Sequence, residues 1–226
     1  MNRFLVFVKW PVALAVAWMT PAAAMLLWHI VVTYDYSLHA VPPILSGFVG
    51  YMLLWWFLFR KQVVGSYLST LEHELTHALF AIITGHSITS MRVTMKEGGQ
   101  VVYKGGEGNW LIIIAPYFFP TITMVLLLIR MFIAPNVWFE AGIGISIGFH
   151  VGSTFYETHG GQTDLKKAGW IFSFLFLPGA NLFTYTMISQ YLNNGWNGIR
   201  DGFMMMWGRE VQYSIWVWEV VKSLRN

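Results

Sequence analysis

The chain has 226 residues, of which 56% are hydrophobic, 17% aromatic and only 11% charged. A soluble globular domain carries about 25% charged residues, so this composition points to an integral membrane protein. The absence of cysteine excludes a disulfide framework and any thiolate metal site, and a net charge of +3 with scattered basic residues excludes a nucleic-acid-binding stripe.

A membrane-spanning helix needs about 20 predominantly apolar residues, and six segments approach that requirement: 12–33, 44–59, 63–84, 110–133, 138–156 and 168–192. The first stays apolar well past Pro21-Ala22-Ala23-Ala24, so it reads as a retained helix rather than a signal peptide. The second closes on Arg60-Lys61. Between the third and fourth, Met91, Val93 and Met95 alternate with Arg92, Thr94 and Lys96, followed by Gly98-Gly99 and Gln100 to Lys104. That pattern predicts a β-hairpin with a glycine turn. Pro116 and Pro120 are expected to kink the fourth segment, and Pro178-Gly179 interrupts the sixth. The tail mixes Met204 to Trp207 and Trp216 to Trp218 with Arg200, Arg209, Glu210 and Lys222, a pattern expected of an amphipathic helix lying on the membrane. The expected fold is therefore an all-α polytopic membrane protein, with about six transmembrane helices and a small membrane-associated β-hairpin.

The third segment carries His73-Glu74-Leu75-Thr76-His77, an H-E-x-x-H motif. Residues four apart share a helix face, so both imidazoles can reach one metal ion, and Glu74 can hold a water against it as general base. Ser66, Thr70, His73, His77, Ala81 and Thr84 form a small, polar stripe, while Val64, Leu68, Leu71, Leu75, Leu79 and Ile82 form an apolar one. The histidines are thus expected to face other helices rather than lipid. Without a partner, an acidic side chain at membrane depth costs on the order of 2.5–3.5 kcal/mol. A bound Zn2+ removes that objection to the buried motif.

A catalytic zinc keeps three protein ligands and one open position. His86, His150, Glu157, His159 and Asp164 are the candidates for the third. Ser146, His150, Ser153 and Glu157 form a polar stripe on the fifth segment. Gly144, Gly148 and Gly152 form a close-packing surface on the same segment, which is expected to lie against the motif helix.

In this order the motifs resemble the site-2 protease family of intramembrane zinc metalloproteases, in particular its small bacterial members that lack a PDZ domain. The matching residues are HELTHALFAIITG (His73 to Gly85), GGQVVYKGG (Gly98 to Gly106), Ala115-Pro116 and QTDLKKAG (Gln162 to Gly169). Together they cover the chain from about Leu71 to Pro178. The resemblance implies His73, His77 and Asp164 as zinc ligands and Glu74 as catalytic base. It also implies that the hairpin pairs with an extended substrate by strand addition.

The chain departs from the family pattern around the aspartate. Tyr156 stands where an asparagine is usual, no proline occurs between Val151 and Asp164, and Leu165 follows in place of glycine. The oxyanion-stabilising asparagine therefore has no counterpart, and Ser153 and Gln162 are the nearby donors.

The implied function is hydrolysis of a peptide bond of a membrane-protein substrate within or near the bilayer. The alternative is a non-catalytic membrane subunit or assembly factor that retains the metal site. The implied setting is a bacterial inner membrane crossed several times. Its partners are the lipid bilayer and a membrane-protein or peptide substrate, with no nucleic acid; another membrane protein or a second copy is a further possible partner. The chain reads as a single membrane domain, with two N-terminal helices in 1–61, a metalloprotease-like core in 62–192 and an amphipathic tail in 193–226.

Overall fold

A long apolar run opens the chain as helix α1 (Asn2–Thr33), with Pro11 and Pro21 inside it. The computed structural model describes residues 2–33, 41–59, 66–94, 98–105, 108–134 and 136–224. Of the expected features, the basic pair Arg60-Lys61, Val64 of the apolar stripe, the hairpin tip at 95–97 and Gly106 lie outside the described residues. The chain divides into two compact units, Met1–Lys9 with Tyr36–Ser173 and Trp10–Asp35 with Phe174–Asn226.

The first unit holds the motif. Helix α2 (Val41–Leu54) runs on into a π-helical turn, Trp55–Phe59. Helix α3 (Ser66–Ile83) carries H-E-x-x-H and stops at Gly85, whose φ of 78° only glycine adopts readily. There the His86 amide donates to the Ala81 carbonyl at 2.8 Å and the Gly85 amide to Ile82 at 2.9 Å, which satisfies the last carbonyls of the helix.

Strands β1 (Ser87–Thr94) and β2 (Gly98–Lys104) then pair antiparallel, from Ser87 opposite Lys104 to Thr94 opposite Gly98, with an irregularity between Ile88 and Ser90. The expected hairpin is present, but Gly98 and Gly99 belong to β2 rather than to the turn. Gly99 has a packing reason: a Cβ there would run into the side chains of Thr70 and Glu74 on α3.

Helix α4 (Trp110–Ile114) is capped by the Asn109 side chain, which accepts from the Leu111 amide at 3.2 Å. A 3-10 turn, Ala115–Tyr117, and Pro120 separate it from α5 (Thr121–Arg130), and the two helices meet at 76°. The prolines lack the amides that a continuous helix requires, so the apolar stretch breaks where expected. The break is held from α3, because Glu72 Oε1 accepts from the Ile122 amide at 3.1 Å in the first turn of α5.

Helix α6 (Val137–Glu157) is capped by Asn136, and Arg130 at the end of α5 donates to Glu140 at 2.8 Å. Its glycine stripe packs against α2, not against the motif helix as expected. Gly144 abuts the Ile44 carbonyl, Gly148 abuts Phe48 and Tyr51, and Gly152 abuts the Trp55 ring. The α2 backbone at Gly144 and the Tyr51 and Trp55 rings at Gly148 and Gly152 fill the space that the glycines leave, whereas α3 meets α6 through polar groups near the end of α6. A short helix α7 (Thr163–Ala168) ends at Gly169.

In the second unit, α8 (Trp170–Ser223) loses helical geometry at Asn194 and Gly195 and doubles back. Phe183 and Phe203, which would be about 30 Å apart along a straight helix, have ring centroids 5.5 Å apart. Met206 on the returning arm is buried with Ala23, Leu26 and Ile30 of α1. The tail expected on the membrane surface therefore packs one face against protein. Its other face exposes Trp207, Trp216 and Trp218.

The described residues are mostly helical, with one two-stranded sheet. Three stretches among them are long and apolar enough to cross a membrane: Phe4–Thr33, Val41–Leu58 and Trp170–Ser223. The bent pair α4 and α5 makes a fourth if taken as one broken span. The expected count of about six thus becomes three or four on length and apolarity alone. Helix α3 lacks the signal because Glu72, His73, Glu74 and His77 dilute it, and α6 because its glycines, Glu140 and His150 do.

Candidate metal centre

The four-residue spacing of α3 sets His73 and His77 one above the other, with ring centroids 4.7 Å apart. Helix α7 brings Asp164 to both. Its Oδ2 lies 3.2 Å from His73 Nε2 and 3.3 Å from His77 Nε2. One ligand atom from each of the three residues lies within 4.8 Å of the others, so the trio could hold one metal ion.

Both rings are also held from behind. His73 Nδ1 is 2.9 Å from Glu157 Oε2, at the end of α6, and His77 Nδ1 is 2.7 Å from the Ile112 carbonyl on α4. A carboxylate and a carbonyl only accept, so each Nδ1 carries the proton. The Nε2 lone pairs are then left facing an oxygen of Asp164. Three acceptors converge on one point, and a cation resolves that arrangement. Ligand atoms about 2.0–2.1 Å from a tetrahedral zinc lie about 3.3–3.4 Å apart, which matches the 3.2 and 3.3 Å separations here. The donor set fits zinc.

Glu74 borders the same cleft and is largely buried. Its carboxylate accepts a hydrogen bond from the Val101 amide on β2. The cleft, about 950 Å³, lies between α3, the hairpin, α7 and the aromatic residues Tyr51 of α2, Trp55 of the π-helical turn and Phe149 of α6. Burial opposes ionisation of Asp164, but without a metal the facing His73 and His77 rings, when they carry a second proton on Nε2, outweigh that and hold its carboxyl below the usual range. Lys167 Nζ lies 3.8 Å from the other Asp164 oxygen.

The remaining candidates lie elsewhere. His150 is buried and bonded to the Pro116 carbonyl. His159 is exposed in a turn, where its Nδ1 accepts from the Gly161 amide at 3.0 Å. His86 bonds to Thr84 Oγ1 at 3.0 Å. Glu157 touches His73 on the side of the ring away from Asp164. Ser153 and Gln162 both line the cleft, as does Tyr156 at the usual asparagine position, which is 64% exposed.

Sequence reasoning missed three contributors. Ser69, one turn before His73, donates to Glu157 Oε1. The Ile112 carbonyl orients His77. Tyr117 is buried with its ring edge-on to His73 at 5.4 Å. Only Ser69 had a local signal, its i−4 relation to the motif.

No curated protein and no solved structure gives a significant match to the chain. A family model does: the one described as Peptidase M50B-like matches residues 44–157. That stretch is half of the chain. It runs from α2 to the last residue of α6, takes in the motif helix and the hairpin, and stops before Asp164. With that length matched around its motif, the chain belongs to the Peptidase M50B-like, or site-2 protease, family.

Proposed function

We propose that the chain is an intramembrane zinc metalloprotease that cuts a peptide bond of a membrane-protein substrate within or near the bilayer. We place it in the bacterial inner membrane, which it crosses several times. The observation that carries this reading is the convergence of His73 Nε2, His77 Nε2 and Asp164 Oδ2, with both Nδ1 atoms already committed to acceptors. A second proton on each ring would also satisfy these contacts. The tetrahedral spacing and the peptidase family favour a metal.

His73, His77 and Asp164 would hold the zinc. When bound, it supplies the positive charge that acidifies a water and polarises the substrate carbonyl. Glu74 takes the proton of the attacking water and returns it to the leaving nitrogen. Its exclusion from bulk water by β2 strengthens this role, because electrostatic interactions grow in a low-dielectric site. Asp164 and Glu157 offset positive charge in a buried setting, and the aromatic wall of Tyr51, Trp55 and Phe149 offers an apolar flank for an unwound substrate segment.

The test compares wild type with Glu74→Gln in cells, by mapping the new N-termini of membrane proteins and measuring zinc in the purified proteins. The reading requires equal zinc and a set of termini that only wild type produces. Identical terminus maps would sink it in favour of a second reading, a non-catalytic subunit with a retained metal site. The specific support for that second reading is that Tyr156, at the rim of the cleft, stands where the family's oxyanion-stabilising asparagine would be.

A further inference from the structure

The contact behind His73 has more structure than a single bond. Glu157 is the last residue of α6, and its two oxygens are divided between two residues one turn apart on α3. Oε1 accepts from the Ser69 hydroxyl, and Oε2 faces His73 Nδ1 at 2.9 Å. Its partners lie on the same face of α3, so the carboxylate spans them without leaving its helix end. This settles where Glu157 stands relative to the metal ligands. The two nitrogens of an imidazole point to opposite sides of the ring, so a group bonded to Nδ1 cannot share a metal with Nε2.

The same geometry matters for electrostatics. Zinc held by two neutral imidazoles and one carboxylate keeps one unit of positive charge, and His73 is largely shielded, with 12% of its side chain exposed. A carboxylate on its Nδ1–H fixes the tautomer, raises the basicity of Nε2 and balances that charge. His77 receives only a neutral carbonyl from Ile112, so the two ligands are held unequally.

We propose that Glu157, itself anchored by Ser69, is the positioning residue of the metal centre. It locks the His73 ring with Nε2 toward Asp164 and supplies the charge that makes the site retain its ion. The proposal rests on His73 being a zinc ligand, as read above, and assigns to the end of α6 a role that the H-E-x-x-H motif does not contain.

The experiment measures zinc affinity by chelator competition on the full-length protein in detergent, for wild type, Glu157→Ala, Glu157→Gln and Ser69→Ala. Visible spectra of the cobalt-loaded forms are recorded beside it. Loss of a hydrogen-bonding partner behind a metal-ligating histidine typically costs about 10–100-fold in affinity. That loss is expected for Glu157→Ala. Glu157→Gln keeps an acceptor for Nδ1–H and recovers part of the affinity, and Ser69→Ala loses less than Glu157→Ala. The cobalt bands shift in Glu157→Ala without a change in ligand number. Should Glu157→Ala not fold, Glu157→Gln and Ser69→Ala carry the comparison with wild type. Equal affinity across the series overturns the inference while leaving the zinc reading intact. So does a drop of one oxygen ligand in Glu157→Ala, by X-ray absorption. A wild type that binds no zinc overturns both.

Discussion

Gly99 on β2 lies directly over Glu74 on α3: a Cβ at position 99 would overlap Glu74 Cγ and come 2.8 Å from Glu74 Oε1. Two strand residues on, the Val101 amide bonds the same carboxylate. The hairpin is therefore seated on the proposed base, and its close approach depends on a missing side chain. Gly99→Ala forces either the strand or the carboxylate to move, at about 1–3 kcal/mol for an overpacked contact. Cleavage should fall by about tenfold or more, since about 1.4 kcal/mol is a factor of ten. Bound zinc should stay at the wild-type level, because a Cβ at Gly99 is nearest to Thr70 and Glu74 rather than to the three proposed ligands. Unimpaired cleavage by Gly99→Ala would show that the strand does not hold Glu74 in place.

The proposed ligand trio makes a separate prediction. His77→Ala or Asp164→Ala removes one of three donors, and each should lower zinc affinity by more than the roughly 10–100-fold typical of an outer partner. Glu74→Gln should leave it unchanged. Stripping the wild type with a chelator should abolish cleavage, and stoichiometric zinc should restore it. The measurement is metal content by elemental analysis, followed by competition. If Asp164→Ala retains zinc with wild-type affinity, the third ligand lies elsewhere.

The parts of this arrangement that are readable in the sequence are those fixed by short-range pattern. His73, Glu74 and His77 follow from spacing alone, the hairpin from alternation and glycines, and the break between α4 and α5 from Pro116 and Pro120. What is not readable depends on partners remote in the chain. The stripe of Gly144, Gly148 and Gly152 announces close packing but not its partner, because four-residue glycine spacing on α6 carries no information about which helix fills the groove. Glu157 carries the right chemistry for a ligand, and only the placement of α6 beside Ser69 and His73 puts it behind the ring. The tail reads as a surface helix because its sequence is amphipathic, and a buried Met206 and a surface-facing one give the same pattern.

Acid should weaken the protein through Asp164. Its carboxyl is held below the usual range by His73 and His77 against the opposing effect of burial. A folded-state value below the unfolded one stabilises the protein fully above the ordinary carboxyl value, about pH 4, and that contribution is lost as the pH falls below it through the lower folded value. The metal-free wild type should therefore lose thermal stability progressively below about pH 4. Asp164→Asn should lack this component while sharing the acid response of the other carboxylates. Superimposable profiles of melting temperature against pH would remove Asp164 from the account.

The packing of α6 on α2 offers a paired test on neighbouring glycines. A Cβ at Gly144 would collide with the carbonyl of Ile44 and come 2.9 Å from the Phe48 nitrogen, all of it backbone that cannot turn aside. A Cβ at Gly142, two residues earlier on the same helix, would meet nothing within 4 Å, so a methyl group fits there. Gly144→Ala should destabilise the protein by about 1–3 kcal/mol or more, since the helices must separate to admit the methyl group. Gly142→Ala should be neutral or stabilising by up to about 1 kcal/mol, because alanine favours a helix over glycine by that amount. Thermal unfolding in detergent, followed by the fluorescence of the 12 tryptophans, separates the two. The difference carries to the site, because α6 ends at Glu157: a displaced α6 moves the carboxylate that bonds Ser69 and His73. Gly144→Ala should therefore also weaken zinc binding, whereas Gly142→Ala should not. Equal melting temperatures and zinc affinities for the two variants would show that the glycine stripe is not what sets the position of α6.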